Sequence, residues 1–404
     1  MNRAAQFALV TVGLLANSLG CTIIPVHDGD ACTDEASAHT GSNLVAPPGG
    51  PTCLAGGCVC MNPTFTAAAA LPTGAYPNGG EVGDMNGDGT PDLVVSNTLT
   101  NTVSVMIGNG DGTFAARVDY AGGAYPSAIR TLDLDSDGNP DVVTASESTG
   151  TVSVLLNNGN GTLAAKVDYA TTTGAADLLA ADLTGDGTPD LVTTHNTGDM
   201  NVLVNNGDGT FVAAVSYSVG VYPKGIASAD FNGDGMLDLA FTDSIGTVNV
   251  LLGNGDGTFA APVSSATLSN PVGITAADLN GDDKPDLAFT NVSSKRVSVL
   301  MNTGNGTFAA RVDYMTGRNP FGVAAADLNS DGKLDLAVTS SLGNVVNVLL
   351  NNGNGTFAAK VDYATGMSPR ALALADLNGD GRSDIAAMNQ FSNSVTVLLG
   401  TCSP

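Results

Sequence analysis

The chain of 404 residues carries 39 acidic against 14 basic side chains, a formal charge of −25, yet only 13% of its residues are charged and 43% are hydrophobic. That balance supports a large core and excludes a disordered acidic tail. So strong a negative field sets aside nucleic acid and anionic membrane surfaces as partners, and no apolar run in the body of the chain reaches membrane-spanning length.

The first twenty residues differ from the rest. Arg3 precedes an apolar stretch from Phe7 to Leu15, and small residues precede Cys21. That is the layout of a secretory signal, predicted over residues 1–20. Its "SLGC" end resembles a bacterial lipobox, in which Cys21 would be lipidated, although Ser18 stands where leucine is usual. Ser18 and Gly20 also suit ordinary signal cleavage at the same bond. Either route predicts export, as a cell-surface or outer-membrane lipoprotein or as a secreted protein, with the membrane reached only through an anchor on Cys21.

Residues 21–62 read as a tether, with "APPGGP" and little periodicity. Cys32, Cys53, Cys58 and Cys60 crowd into it, and Cys402 stands alone at the other end. "CLAGGCVC" has no histidine nearby at zinc-finger spacing, so disulfides in an exported segment are the predicted chemistry.

From residue 63 onward one unit repeats. Its marker, D-x-N-x-D-G-x-x-D, begins at Asp84, Asp133, Asp182, Asp230, Asp278, Asp327 and Asp376, in steps of 48 or 49 residues. A fixed period of this size signals a repeat architecture. One period reads "PKGIASADF", the acidic loop, "LDLAFT", "TVNVLLGN", the turn "GDGT" and "FAAPVSSA": four short strands separated by turns. Pro77, Pro126, Pro223, Pro271, Pro320 and Pro369 stand where the first strand begins, not inside it. Strands such as "VNVLLG" are apolar on both sides, as required where a sheet is covered on both faces. The predicted fold is an all-β, seven-bladed β-propeller over residues 63–404. After the seventh loop only two strands' worth of sequence remains, while "PTFTAAAALPTG" near residue 64 aligns with the fourth strand of other repeats. The N-terminal strand is therefore predicted to complete the last blade, with a disulfide from Cys58 or Cys60 to Cys402 locking the ring.

Crowded oxygen ligands around a glycine turn suit a hard cation. Ca²⁺ takes six to eight oxygens, and glycine at the sixth position permits the sharp turn that converges them. An EF-hand would need an acidic residue at position 12, where Val95 stands in the first copy, and flanking helices. Aspartate and glycine also make plain turns. That suffices for the second, shorter set at Asp111, Asp208 and Asp256, but not for four oxygen-bearing positions in seven loops. The predicted ligand sets are Asp84, Asn86, Asp88, Asp92; Asp133, Asp135, Asp137, Asp141; Asp182, Thr184, Asp186, Asp190; Asp230, Asn232, Asp234, Asp238; Asp278, Asn280, Asp282, Asp286; Asp327, Asn329, Asp331, Asp335; and Asp376, Asn378, Asp380, Asp384. Up to seven Ca²⁺ are expected. Thr184 at position 3 of the third loop and Asp283 in place of glycine in the fifth depart from the pattern.

These residues carry a resemblance to FG-GAP/VCBS repeats, the units of the integrin alpha-subunit propeller and of many exported bacterial proteins. The resemblance covers about residues 62–401. It implies Ca²⁺ in the hairpin between strands 1 and 2 of each blade, and a ligand side facing away from those cages. No integrin partner domain is present, so integrin-like signalling does not carry over.

The function so predicted is an exported calcium-binding, adhesion-type module for a surface protein or glycan; a structural spacer, or a propeller hydrolase or lyase, is the alternative. An enzyme is disfavoured: His27 and His39 lie in the tether, His195 stands alone at a strand end with a surface or capping role expected, and no G-x-S-x-G elbow occurs. The loops joining one repeat to the next vary most, and they place Tyr76, Tyr125, Tyr222, Lys224, Arg318, Phe321 and Arg370 on the predicted ligand face.

Overall fold

A computed structural model describes residues 52–54, 57–59 and 63–402. The signal, the lipidation expected at Cys21, and Cys32 and Cys60 lie outside the described residues. So do the side chains that would form the bridge from Cys58 or Cys60 to Cys402. The segment read as a plain tether contains a short antiparallel hairpin, β1 (Thr52–Leu54) and β2 (Gly57–Val59), with Cys53 opposite Cys58 in register. Strands of three residues are too short to leave a period in the sequence.

Each repeat folds as the periodicity predicts. After β3 (Pro63–Ala67) and β4 (Leu71–Pro72), the first blade runs β5 (Pro77–Gly83), β6 (Asp92–Asn97), β7 (Thr102–Met106) and β8 (Val118–Ala121), each antiparallel to the next. Five further four-stranded sheets follow over residues 126–170, 175–218, 223–266, 271–315 and 320–364. The seventh takes three strands from residues 369–402, and its fourth is β3, paired from Pro63 with Cys402 to Ala67 with Leu398. β4 continues that pairing, Leu71 opposite Val395. The first strand of each blade lies beside that of the next, and residues 369–375 lie beside β5. The ring is closed.

Alternation within a strand explains the packing. Successive side chains of β6 point to opposite faces. Val94 joins Ile129 and Val142 of the second blade, whereas Leu93 and Val95 join Met388 and Val397 of the seventh. All six residues of β6 are buried, and the second strand of every blade is likewise buried throughout. The seam between blades seven and one needs Gly80, because a Cβ there would lie 1.8 Å from Met388 Cε.

The closing strand reproduces a contact made elsewhere between neighbouring blades. Tyr169 meets Phe211, Tyr217 meets Phe259 and Tyr314 meets Phe357, each edge to face. Phe65 takes the same place against Tyr363 at 5.0 Å, and the Tyr363 hydroxyl donates to the Pro63 carbonyl at 2.9 Å. We therefore expect Phe65→Ala to cost about 3–5 kcal/mol of unfolding free energy in denaturant titration, as for other buried Phe truncations. Deleting residues 64–71 exposes the strand ending at Cys402 as an unpaired edge, and light scattering should then show aggregation; a monomer of unchanged stability would contradict this closure.

Candidate functional site

Each acidic loop is wound around its first carboxylate. In the first, Asp84 accepts from the N–H groups of Gly87, Asp88 and Gly89 at 2.8, 3.1 and 2.8 Å. Asn86 Oδ1 accepts from Asp88 N–H, and Asp88 from Thr90 N–H. Gly89 has φ +82°, the left-handed turn that lets the loop double back. Asp283 adopts this backbone too, at φ 62°, and its N–H still reaches Asp278 at 2.8 Å.

The ninth position behaves differently from the rest. Asp92 is fully buried and accepts from Met85 N–H at 2.7 Å and Gly108 N–H at 2.8 Å, tying the loop to the end of the third strand. Asp141, Asp190, Asp238, Asp286, Asp335 and Asp384 make the same pair of bonds. Burial raises these carboxyls against the pull of both N–H donors, to about 6 in Asp141, Asp238, Asp286 and Asp384 and about 7 in Asp335. Asp92 and Asp190 are raised for the same reason.

The donor set fits a hard divalent cation. In the second loop, carboxylate oxygens of Asp133, Asp135 and Asp141 lie within 4.8 Å of one another. Ligands at about 2.3–2.6 Å from a shared Ca²⁺ would be so spaced. In the third loop Thr184 Oγ1, shielded from solvent, has no hydrogen-bond partner. Two residues that the sequence reading passed over oppose a cation: Lys284 pairs with Asp282 at 3.3 Å and Lys333 with Asp331 at 3.0 Å. Their place, two residues after the fifth-position aspartate, was the signal.

Because strands alternate in direction, the loops between blades emerge on the opposite face. There Tyr76, Tyr125 and Tyr222 adopt φ 65°, 54° and 52°, where other blades place Asn270, Asn319 and Ser368. The Tyr76 N–H is held by Asn393 Oδ1 and the Tyr125 N–H by Asn101 Oδ1, both at 2.8 Å. Phe321, Arg370 and Tyr76 form one cluster. The Arg370 guanidinium lies 4.0 Å over the Phe321 ring and donates to Gln390 Oε1 at 3.0 Å. Tyr76 packs on Phe391 at 5.7 Å. Tyr125 and Tyr222, 46% and 53% exposed, stand apart on other blades, and Arg318 is exposed on its own loop. Lys224 is drawn to Asn196 Oδ1 at 2.8 Å.

His195 is not at the surface. It is fully buried at the end of its strand, its Nε2 is 2.7 Å from Thr193 Oγ1, and burial pushes its pKa down to about 4. Equivalent positions in other blades hold buried Asn97, Ser146 and Asn291, so the site is a polar strand end roofed by a loop. An ion cluster also went unforeseen: Arg130 reaches Glu81 at 3.0 Å and Asp177 at 3.5 Å, joining the inner strands of the first three blades.

The FG-GAP-like repeat pattern matches residues 84–144, 133–193, 182–241, 230–289, 279–338 and 327–387. The chain belongs to the FG-GAP-like repeat family. No curated protein matches it. Among solved structures, this FG-GAP-like chain is similar to BBS1N from its complex with ARL6DN (TM-score 0.61, 13% identity, 83% of this chain and 97% of that one). It is similar also to virginiamycin B lyase from Staphylococcus aureus (TM-score 0.57, 14% identity, 84% and 99%). An Agrocybe aegerita lectin recognising non-reducing terminal N-acetylglucosamine aligns at TM-score 0.50, with 22% identity over 86% and 87%. At these identities the likeness is one of fold.

The ninth-position aspartates hold protons more tightly folded than unfolded. Stability of the metal-free FG-GAP-like protein should therefore rise as pH falls through about 7 to 6, and stop rising below the ordinary carboxyl value near 4. Melting curves in chelator at about pH 8, 6.5 and 5 check this; a melting temperature that falls over that range would refute it.

Proposed function

We propose that this chain is an exported, calcium-stabilised binding module that engages a surface protein or glycan through the face opposite its acidic loops. The observation that carries this reading is the left-handed backbone of Tyr76, Tyr125 and Tyr222. A bulky residue there is strained where asparagine or glycine is not, and such strain gathers at ligand sites. The fold alone has no need of tyrosine at a position that Asn270 and Asn319 fill in other blades. Similar propellers have such partners: BBS1N is seen with ARL6DN, and the lectin with a sugar. Binding rather than catalysis is supported by His195, which lies sealed in the core and unable to exchange protons with a substrate.

Calcium would be held by positions 1, 3, 5 and 9 of each loop, with a carbonyl from position 7. It would neutralise the carboxylates that otherwise repel one another. Each site filled only in the folded state adds about 2.7 kcal/mol at about a hundredfold excess over Kd. The melting temperature should drop in EGTA, recover with Ca²⁺ and recover poorly with Mg²⁺; an indifferent melting curve would end the proposal. The third and fifth loops should fill last, joined by the sixth because of Lys333. Lys284→Ala and Lys333→Ala should raise occupancy there in crystals grown at limiting Ca²⁺.

The ligand face is tested separately. Tyr125→Ala combined with Arg318→Ala should abolish pull-down of the surface partner while leaving melting and Ca²⁺ stoichiometry unchanged. Loss of binding on altering the "NGDGT" turns instead would place the site on the other face.

A further inference from the structure

Most cations of the propeller are spent on nearby carboxylates. Five on the face opposite the acidic loops are not; of these Lys224 is held by Asn196 Oδ1 on the fourth blade, apart from the rest. Lys295, Arg296, Arg318 and Arg370 form no ion pair among the described residues, although the chain carries 39 acidic side chains. From residue 292 to the C-terminus, the acidic residues outside the metal loops are Asp313 and Asp362, and these are already paired with Arg311 and Lys360. The loops of blades five to seven on this face contain no carboxylate at all. A protein of charge −25 thus keeps one uncompensated positive track.

The segments that carry these cations are joined to one another through the backbone and the Phe321 ring. Lys295 accepts through its carbonyl from Thr316 N–H at 3.0 Å, two residues before Arg318. Arg318 accepts from Leu342 N–H, and three residues further on Phe321 lies beneath Arg370 at 4.0 Å. Arg370 is half-buried and held in one pose by the Phe321 ring, Gln390 Oε1 and the Tyr76 side chain, none of which is a carboxylate. Arg130, also a half-buried guanidinium, is by contrast answered by both Glu81 and Asp177. A desolvated cation met only by neutral groups keeps its charge uncompensated at a cost, which an anionic ligand would offset.

We propose that this track binds an acidic polysaccharide, with a uronate carboxylate on Arg370 and successive sugars running outward past Arg318 to Lys295 and Arg296. The proposal rests on the reading that this face binds ligand. Cations strung over three blades suit a polymer with regularly spaced charge better than a single small anion. Sugar, not acidic peptide, is favoured by what surrounds the anchor. Phe391 is 59% exposed and tilted on Tyr76, offering a ring face for sugar C–H groups. The Gln390 amide, buried and bonded to both Arg370 and Asn78, fixes the guanidinium beside that ring and leaves its charge to meet the uronate carboxylate.

The test is calorimetry on the full chain in Ca²⁺, with a galacturonate oligomer as probe, a neutral galactose oligomer and an oligoglutamate peptide of equal charge as companions. The uronate oligomer should bind with an affinity that weakens as salt rises, and the neutral sugar should not bind. Arg370→Ala should weaken uronate binding about tenfold, the size of one charge-assisted contact. Lys295→Ala with Arg318→Ala, both exposed and neutral to folding, should flatten the salt dependence; this pair keeps the test decisive if Arg370→Ala unfolds the seam. Oligoglutamate binding as tightly as uronate overturns the polysaccharide assignment. Uronate binding that is absent, or untouched by either variant, overturns the site. Should that happen while Tyr125→Ala still abolishes surface pull-down, the broader binding role survives and only this ligand falls.

Discussion

The second strand of every blade is apolar on both faces, and a sheet built that way must be covered on both sides. A linear stack of seven such sheets would leave two faces in water, whereas a ring leaves none. The constraint reaches into single residues. Leu93 and Val95 find Met388 only because the seventh blade returns to the first, and Gly80 is bare so that Met388 can fit. Phe65 and the short β3 are the parts that make the return possible, supplying at residue 65 a contact that other blades receive from the next repeat.

The same ring sorts chemistry onto two faces without any further instruction. Antiparallel strands alternate in direction, so every acidic loop falls on one side and every link between blades on the other. Repetition then forces the carboxylates together and holds them there through the buried ninth aspartate, which bonds to the third-strand end in each blade. The opposite face has no such duty. Its loops need only a residue that tolerates a left-handed turn, and they are free to carry Tyr125 in one blade and Asn319 in another. Variation gathers where the fold asks least, and that is where a binding surface can be written.

Much of this protein is local and repeated, and that part was determined by the sequence alone. The 48- to 49-residue period, the proline at the start of each inner strand, the stray fourth strand near residue 64 and the D-x-N-x-D-G loops each depend on residues close together in the chain, so their patterns are visible in one dimension. What only the tertiary structure decided involves neighbours a whole blade apart. Glu81, Arg130 and Asp177 meet because inner strands stand side by side around the axis. Tyr76, Phe391, Phe321 and Arg370 converge across the closing seam, joining residues more than 300 positions apart. His195 reads as a strand-end surface residue until the loop from the preceding blade roofs it and burial strips its charge. Burial and partnership of a side chain are set by which blade stands next to it, and that is a property of the closed ring rather than of any one repeat.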